Sequence, residues 1–274
     1  MRRGRGQGGR KKGRSDDHGA RARDGRSAGR GPGRATRERA VDVDARRDEI
    51  VRAAVDLLDE VGLDALSLRQ LAGHLRMHAP GLYWYVESKQ DLIDRMADRI
   101  MAEGMHVGPL APGQTWDAWL VELACTARRA LLAHRDGARV VASAFLVRTS
   151  AITPVLEQAL EILEGAGFEP LIALGVTITL MRYATGIALD EQLSPLQPAA
   201  DDFAARAKVM ASTLIDAERW PRVADAYRQV FNGQPRDREK MFRWGAQMIV
   251  RGFDEMVREN RRTHPSGAGG AWPK

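Results

Sequence analysis

Three short runs contain residue types that enzymes use for acid–base or metal chemistry. The HRD run at 134–136 has the order of a kinase catalytic loop, Glu103-x-x-His106 is half of a bundle di-metal site, and residues 201–202 are neighbouring aspartates. A kinase also needs a glycine-rich loop and a lysine-bearing strand, and a di-metal bundle needs a second pair and two further Glu. The sequence supplies neither, and no third acid joins 201–202, so we predict no catalytic residues, metal or cofactor, and no enzymatic activity.

The single cysteine, Cys125, excludes a disulfide within one chain. Its spacing to Leu123 and Ala127 suits a small buried apolar residue, and this cysteine usage is typical of a reducing cytoplasm. Since the N-terminal segment lacks the apolar stretch of a signal peptide, we predict a cytoplasmic protein.

The first forty residues form a basic tail. They hold fourteen Arg or Lys, four acids and ten Gly, so they carry about +10 while the whole chain carries +6. Such a composition cannot bury a core and predicts disorder over residues 1–44. A solvated tail, a transit peptide, a nucleic-acid arm and an extension from a misplaced start all remain open.

Most of the remaining chain has apolar residues at spacings of three and four, which predicts helices. A stripe from Ile50 to Val61 begins near Asp44 and stops at Gly62. Capping pairs follow: Ser67 with Gln70 opens a helix to about His74, and Ser88 with Asp91 opens another.

A turn at 75–78 separates the first of these short helices from a second one, and Pro80 suits the first turn of the second helix. Two short helices between longer ones predict a helix-turn-helix, in which the second helix, here about seven residues, enters the DNA major groove. Tyr83, Trp84 and Tyr85 cannot all point inward from so short an element.

Residues 171–189 are apolar enough to be tested for membrane insertion, but Arg182 near their middle would cost roughly 2.5 to 3.5 kcal/mol there. Three Thr, a Tyr and the polar residues that follow favour a core or subunit-interface helix.

The segments LLDEVGLDALSLRQLAGHL and PGLYWYVESKQDLID, with TWDAWLVELACTARRALLAHRDGARV after them, resemble the tetracycline-repressor (TetR) family of bacterial regulators. The resemblance covers residues 46 to about 259, apart from 197–215. It implies an all-α homodimer with a reader domain at 45–90, an effector-binding and dimerisation domain at 91–260, and a flexible end at 261–274. It also implies that a double-stranded operator is the partner and that the chain is a ligand-responsive repressor without a membrane partner.

The matching motif positions imply the DNA-binding residues. Tyr85 stands where tetracycline repressors carry His, so base readout should differ from theirs, with sparse hydrogen bonding to bases and much of the affinity from phosphate contacts. Leu82 and Val86 are expected inside. The implied DNA-binding set is Ser67, Arg69, Ala79, Pro80, Gly81, Tyr83, Trp84, Tyr85 and Lys89.

The effector positions depart from the pattern, because the metal-binding His of tetracycline repressors has no counterpart here. Mg²⁺ needs oxygen or imidazole ligands, so an apolar or aromatic effector is expected. Plain core roles are the competing interpretation for each residue. The candidate ligand-binding set is Met105, Trp116, Trp119, Leu123, Ala127, Val141, Ala144, Phe145, Gln158 and Met181.

Two apolar stripes predict the dimer bundle independently of the resemblance. The first includes Val176 and Tyr183, with small residues at 173, 175, 184 and 186; the second includes Phe242 and Phe253. Intramolecular core packing is the alternative for both. Two other functions stay open: a helical small-molecule-binding or scaffold protein, and a nonspecific nucleic-acid binder that acts through its tail.

Overall fold

The computed structural model describes residues 32–144, 150–193, 216–231 and 235–263. The chain divides into two units, Met1–Val41 and Asp42–Lys274, and the packing below is that of the second. Within the described ranges every regular element is a helix, which confirms the all-α class. The helices are α1 (Pro32–Val61), α2 (Leu68–His74), α3 (Ala79–Leu82), α4 (Lys89–Gly104), α5 (Trp116–Leu132), α6 (Gly137–Ser143), α7 (Thr153–Gly165), α8 (Pro170–Leu193), α9 (Pro221–Phe231) and α10 (Pro235–Thr263).

Helix α1 ends as predicted but begins earlier. Gly62 follows its last residue with a φ of 80°, a conformation that glycine adopts without a Cβ clash. Its first residue is Pro32 rather than one near Asp44, so the prediction of disorder over 32–44 is wrong there. Proline suits a first helical turn and the Ala, Arg and Glu residues that follow are good helix formers. Residues 1–31 of the predicted tail lie outside the described residues.

The helices from α1 to α4 contribute to an apolar core that is continuous with that of the later helices. Ile50, Leu58, Leu71, Leu82 and Val86 are almost fully buried in it. Leu82 and Val86 thus have the internal role predicted for them. Residues 42–274 count as one unit, so the boundary near residue 90 stays a prediction.

Helix α5 lies at the centre of this core and packs against α4, α6, α8 and α10. Trp119, Leu123 and Ala127 on it are almost fully buried. A Cβ at Gly104 would collide with Ala130, so α4 and α5 approach closely at this point.

Helix α8 is, within the described residues, the one helix long and apolar enough to cross a membrane, and 39% of its most apolar window is buried. It packs on α5 and α7, with Ala173, Val176 and Leu180 fully buried. This packing agrees with the predicted core or interface helix.

Candidate nucleic-acid interface and effector domain

Both predicted helix caps are confirmed on either side of the helix-turn-helix. Ser67 Oγ accepts a hydrogen bond from the Gln70 amide at 3.3 Å and donates one to Gln70 Oε1 at 2.8 Å. Ser88 Oγ accepts from the Asp91 amide at 3.0 Å. These caps satisfy amides that the first helical turn leaves without partners. They therefore fix the first residues of α2, which precedes the turn and α3, and of α4, which follows them.

Helix α3 is shorter than the seven residues predicted, because it ends at Leu82. The Leu82 carbonyl accepts hydrogen bonds from the amides of both Tyr85, at 2.9 Å, and Val86, at 3.1 Å. These two hydrogen bonds to one carbonyl oxygen close a turn directly after α3, and the three aromatic residues lie on that turn.

The aromatic turn presents two of its three rings to solvent. Tyr83 is 53% exposed and Trp84 is 85% exposed, whereas Tyr85 is partly buried. Arg47 Nε donates a hydrogen bond to the Tyr85 carbonyl at 3.1 Å, which ties the turn to α1. Exposure of a tryptophan to this degree is uncommon for so large an apolar side chain. The turn can therefore contact a partner through Tyr83 and Trp84 without rearranging.

The remaining predicted DNA-binding residues lie on one continuous stretch around this turn. Arg69, Ala79, Pro80 and Lys89 are exposed, and Gly81 is partly buried. The partly buried Ser67 already uses its hydroxyl group as a cap. The structure thus brings these positions to one region, and their role in binding stays a prediction.

The turn at 134–136 is hydrogen-bonded to the end of α1. The sequence did not predict this contact. His134 Nδ1 lies 2.8 Å from Asp59 Oδ2, and the Arg135 amide donates to Asp59 Oδ1 at 2.8 Å. The Leu63 amide donates to Asp136 Oδ2 at 2.9 Å. Residues 134–136 therefore have a structural role, and their resemblance to a kinase catalytic loop is coincidental. We call these contacts between the turn and the end of α1 the joint.

An ion pair extends this joint. Arg139 Nη2 lies 2.7 Å from Asp64 Oδ1. The hydrogen bond from Arg139 and its charge hold the pKa of Asp64 below its ordinary value, and the same bond raises the pKa of Arg139. Because Asp64 is largely exposed, solvent screening keeps the stabilisation small.

Gln192 connects the same turn to α8. Its Nε2 donates to the carbonyls of Leu131, at 3.1 Å, and His134, at 2.8 Å, and its Oε1 accepts from the Ala138 amide at 2.9 Å. A chain of hydrogen bonds thus runs from α8 through the turn at 134–139 to α1. These contacts join positions more than fifty residues apart, and no local pattern signals them.

The predicted effector residues are mostly interior. Phe145 lies outside the described residues, whereas Trp116, Ala144 and Gln158 are partly buried. Trp119 Nε1 and Gln158 Nε2 both donate to the Gly108 carbonyl, at 2.9 and 3.0 Å. The buried members of the set are Met105, Trp119, Leu123, Ala127, Val141 and Met181.

Two of the predicted residues, Trp116 and Gln158, border a cavity of about 830 Å³ between the start of α5, α7 and α10. Asp117, Glu161 and the ion-paired Asp254 also line it, so its wall is more polar than the sequence predicted. Trp116 packs edge-on against Phe168 with ring centroids 4.8 Å apart. This packing holds the indole beside the cavity.

A second cavity, of about 860 Å³, lies between α1 and α4. Charged side chains dominate its wall, among them Arg47, Asp98 and Arg99, and His106 also lines it. Within the described ranges, no group of three or more His, Cys, Asp or Glu side chains is placed to hold a metal ion.

The two stripes predicted for a dimer bundle turn largely toward the chain's own core. Tyr183 stacks on Phe242 with ring centroids 4.9 Å apart, and its hydroxyl donates to the Phe242 carbonyl at 3.2 Å. Of the four small residues, those at 173 and 184 are fully buried, while Gly175 is partly buried and Gly186 is exposed.

A different face of the same two helices is apolar and exposed. On α10 Met241, Trp244 and Met248 are each at least half exposed, at spacings of three and four residues. On α8 Leu171 is half exposed, and a Cβ at Gly186 would meet nothing within 4 Å. An apolar stripe at helical spacing is typical of a surface that packs against another helix.

Comparison with known families gives two matches on this chain. Residues 50–96 match the family described as "Bacterial regulatory proteins, tetR family", and residues 108–257 match the "Tetracyclin repressor-like, C-terminal domain". The first match spans the helix-turn-helix, and the second spans the helices from α5 to most of α10.

Individual proteins are similar over most of their length. The tetracycline repressor protein class E of Escherichia coli is 31% identical over 220 residues, which are 79% of this chain and 94% of that protein. A possible TetR family transcriptional regulator from Streptomyces coelicolor A3(2) has a crystal structure that superimposes with a TM-score of 0.66 at 28% identity, covering 77% of this chain and 99% of that one. The S. coelicolor TetR family protein ActR, crystallised with (S)-DNPA, gives 0.62 at 25% identity, covering 76% and 96%.

Proposed function

The chain belongs to the tetR family of bacterial regulatory proteins, and from that premise we propose that it is a transcriptional repressor that binds a palindromic operator as a homodimer and leaves it when a small molecule binds. Such regulators bind DNA and are not enzymes. The observation that carries the proposal is the aromatic turn after α3, exposed at Tyr83 and Trp84 on a capped helix-turn-helix. We place its action in the cytoplasm, where the DNA is.

In this proposal α3 and the turn after it enter the major groove. Tyr83 and Lys89 bind phosphates, which fix the register on the duplex, and the exposed Ala79 and Pro80 contact base edges. Because these residues offer few hydrogen-bonding groups to bases, binding should depend steeply on salt concentration.

The exposed face of α8 and α10 supports the homodimer. Met241, Trp244 and Met248 would be covered by the partner subunit, and the absence of a side chain at Gly186 permits close helix approach. A dimer with two readers about 34 to 36 Å apart would reach successive major grooves.

The joint between α1 and the turn at 134–139 supports coupling of effector to reader. A molecule bound in the larger domain can shift α8 or α4, and Gln192 and the HRD run would transmit the shift to Asp59 at the end of α1. To move operator occupancy from 99:1 to 1:99, the effector must discriminate the two states by about 10⁴, roughly 5.5 kcal/mol.

An apolar or aromatic effector agrees with the buried Leu123, Ala127 and Met181. A magnesium–tetracycline complex is disfavoured because those positions offer no oxygen or imidazole ligand. A thermal-shift screen of hydrophobic compounds would identify the class, since a ligand raises the melting temperature of the state it binds.

The test of the proposal is a gel-shift assay with intergenic DNA from upstream of the chain's own gene. The wild type should shift one palindromic fragment, and Tyr83→Ala with Lys89→Ala should abolish the shift while size-exclusion chromatography still shows a dimer. Retained tight binding by that double variant would remove the reader assignment. A scaffold protein would shift no fragment.

The tail is tested separately. We propose that residues 2–40 add nonspecific attraction to phosphates through their fourteen basic side chains. Deleting them should reduce the slope of log K against log salt. An unchanged slope would leave the tail without a role, and sequence-blind binding lost with the tail would favour the tail-driven alternative.

A further inference from the structure

Within the described ranges two residues other than glycine have a positive φ: Arg76, at 54°, and Asp136, at 57°. Side chains with a Cβ rarely adopt this left-handed conformation, and where they do, the surroundings or the function usually account for it. Contacts within the chain account for the positive φ of Asp136, whereas no contact among the described residues accounts for that of Arg76.

For Asp136 the reason lies inside the chain. Its carboxylate accepts a hydrogen bond from the Leu63 amide at 2.9 Å and pairs with Arg139 at 3.2 Å. The left-handed backbone aims this carboxylate at two partners, which compensates for the unfavourable φ.

Arg76 occupies the position after the end of α2 that glycine commonly fills. The Arg76 amide donates to the Gly73 carbonyl at 3.1 Å, and the Met77 amide donates to the Ala72 carbonyl at 2.8 Å. This pair of bonds is the Schellman termination, whose left-handed residue is commonly glycine. Here an arginine takes that position, although glycine would adopt the same backbone without a Cβ clash.

The side chain of Arg76 has no compensating contact in the part of the chain that the structure describes. It is exposed, and none of the hydrogen bonds or ion pairs among the described residues includes its guanidinium. The turn that carries it leads directly into α3, two residues before the exposed His78. The arginine thus lies on the turn before α3, and the exposed Tyr83 and Trp84 lie on the turn after it.

We propose that Arg76 is a DNA-contacting residue, whose guanidinium binds a backbone phosphate beside the groove that α3 enters. The inference rests on the proposed function. A guanidinium matches a phosphate with two parallel hydrogen bonds, and such a contact fixes the position of α3 without reading sequence. A bound phosphate would thus compensate for the unfavourable φ of Arg76, as contacts within the chain do for Asp136.

The test compares Arg76→Gly, Arg76→Lys and the wild type on an operator that the wild type selects from a pool of random duplexes. Arg76→Gly removes the unfavourable φ, so its melting temperature should rise by about 2 to 4 °C. Its operator affinity should nevertheless fall about tenfold, and the slope of log K against log salt should become shallower by about 2 for a dimer that loses two phosphate contacts. Arg76→Lys should keep most of the slope.

Arg222→Gln is the matched control, because it removes an exposed arginine from α9, and it should leave the slope near the wild-type value. If Arg76→Gly binds with unchanged affinity and slope, or melts below the wild type, the inference is overturned while the repressor function stands. If the wild type selects no duplex at all, the proposed function fails, and the inference fails with it.

Discussion

Replacement of Gln192 by Ala tests whether the joint between α8 and the turn at 134–139 is energetically real. Among the contacts within the described residues, the change removes the hydrogen bonds to Leu131, His134 and Ala138. At about 0.5 to 1.5 kcal/mol each, their sum is about 1.5 to 4.5 kcal/mol. Gln192 is partly exposed, so water replaces part of the loss and about 2 kcal/mol is the expected cost. For a domain of this size the melting temperature should fall by about 4 to 8 °C.

Thermal and urea unfolding would measure the cost, with an unchanged urea m-value indicating that the native fold is retained. Hydrogen exchange on the segment 131–140 gives a local readout and should accelerate in Gln192→Ala. Gln158→Ala is the control, since that partly buried Gln makes one hydrogen bond, to the Gly108 carbonyl. A loss for Gln192→Ala no larger than that for the control, or unchanged exchange at 131–140, would refute the joint.

Three further outcomes follow from contacts elsewhere in the chain. Because Arg139 depresses the pKa of Asp64, their pair stabilises the fold above the ordinary Asp range and loses this effect as pH falls through the lowered pKa; Asp64→Asn should melt slightly below the wild type at pH 7 and together with it near the acid limit. Gly104→Ala should lower the free energy of unfolding by about 1 to 3 kcal/mol, measured by urea titration, because the new methyl group collides with Ala130. Burial raises the pKa of the Cys125 thiol, so it should react with Ellman's reagent at pH 8 only as the protein unfolds.

The parts of the reader that depend on nearby residues were predictable from sequence. Ser67 and Ser88 predict the starts of their helices, because a cap needs only a hydroxyl group and an amide three residues later. The length of α3 was not predictable, since its early end at Leu82 depends on how the chain turns toward Ser88. A helical pattern does not specify such a tightening.

Contacts between distant positions were beyond the sequence for a different reason. Asp59 and His134 lie 75 residues apart in the sequence, and neither residue type is unusual at an exposed helix end. The same limit applied to the bundle stripes, because helical spacing shows that Tyr183 and Phe242 are buried without showing by which chain. The exposure of Met241 and Trp244 became visible only once the chain's own core was complete.

That exposed stripe on α10 has a consequence for how the protein behaves at low abundance. A folded monomer leaves Met241, Trp244 and Met248 in water. In the proposed homodimer the partner subunit would cover them, so assembly would add to stability by mass action. Dilution should therefore lower the melting temperature, and a cell that holds only a few copies would keep this regulator near its dissociation limit. The expression level would then determine the folded fraction of the protein as well as the occupancy of its operator.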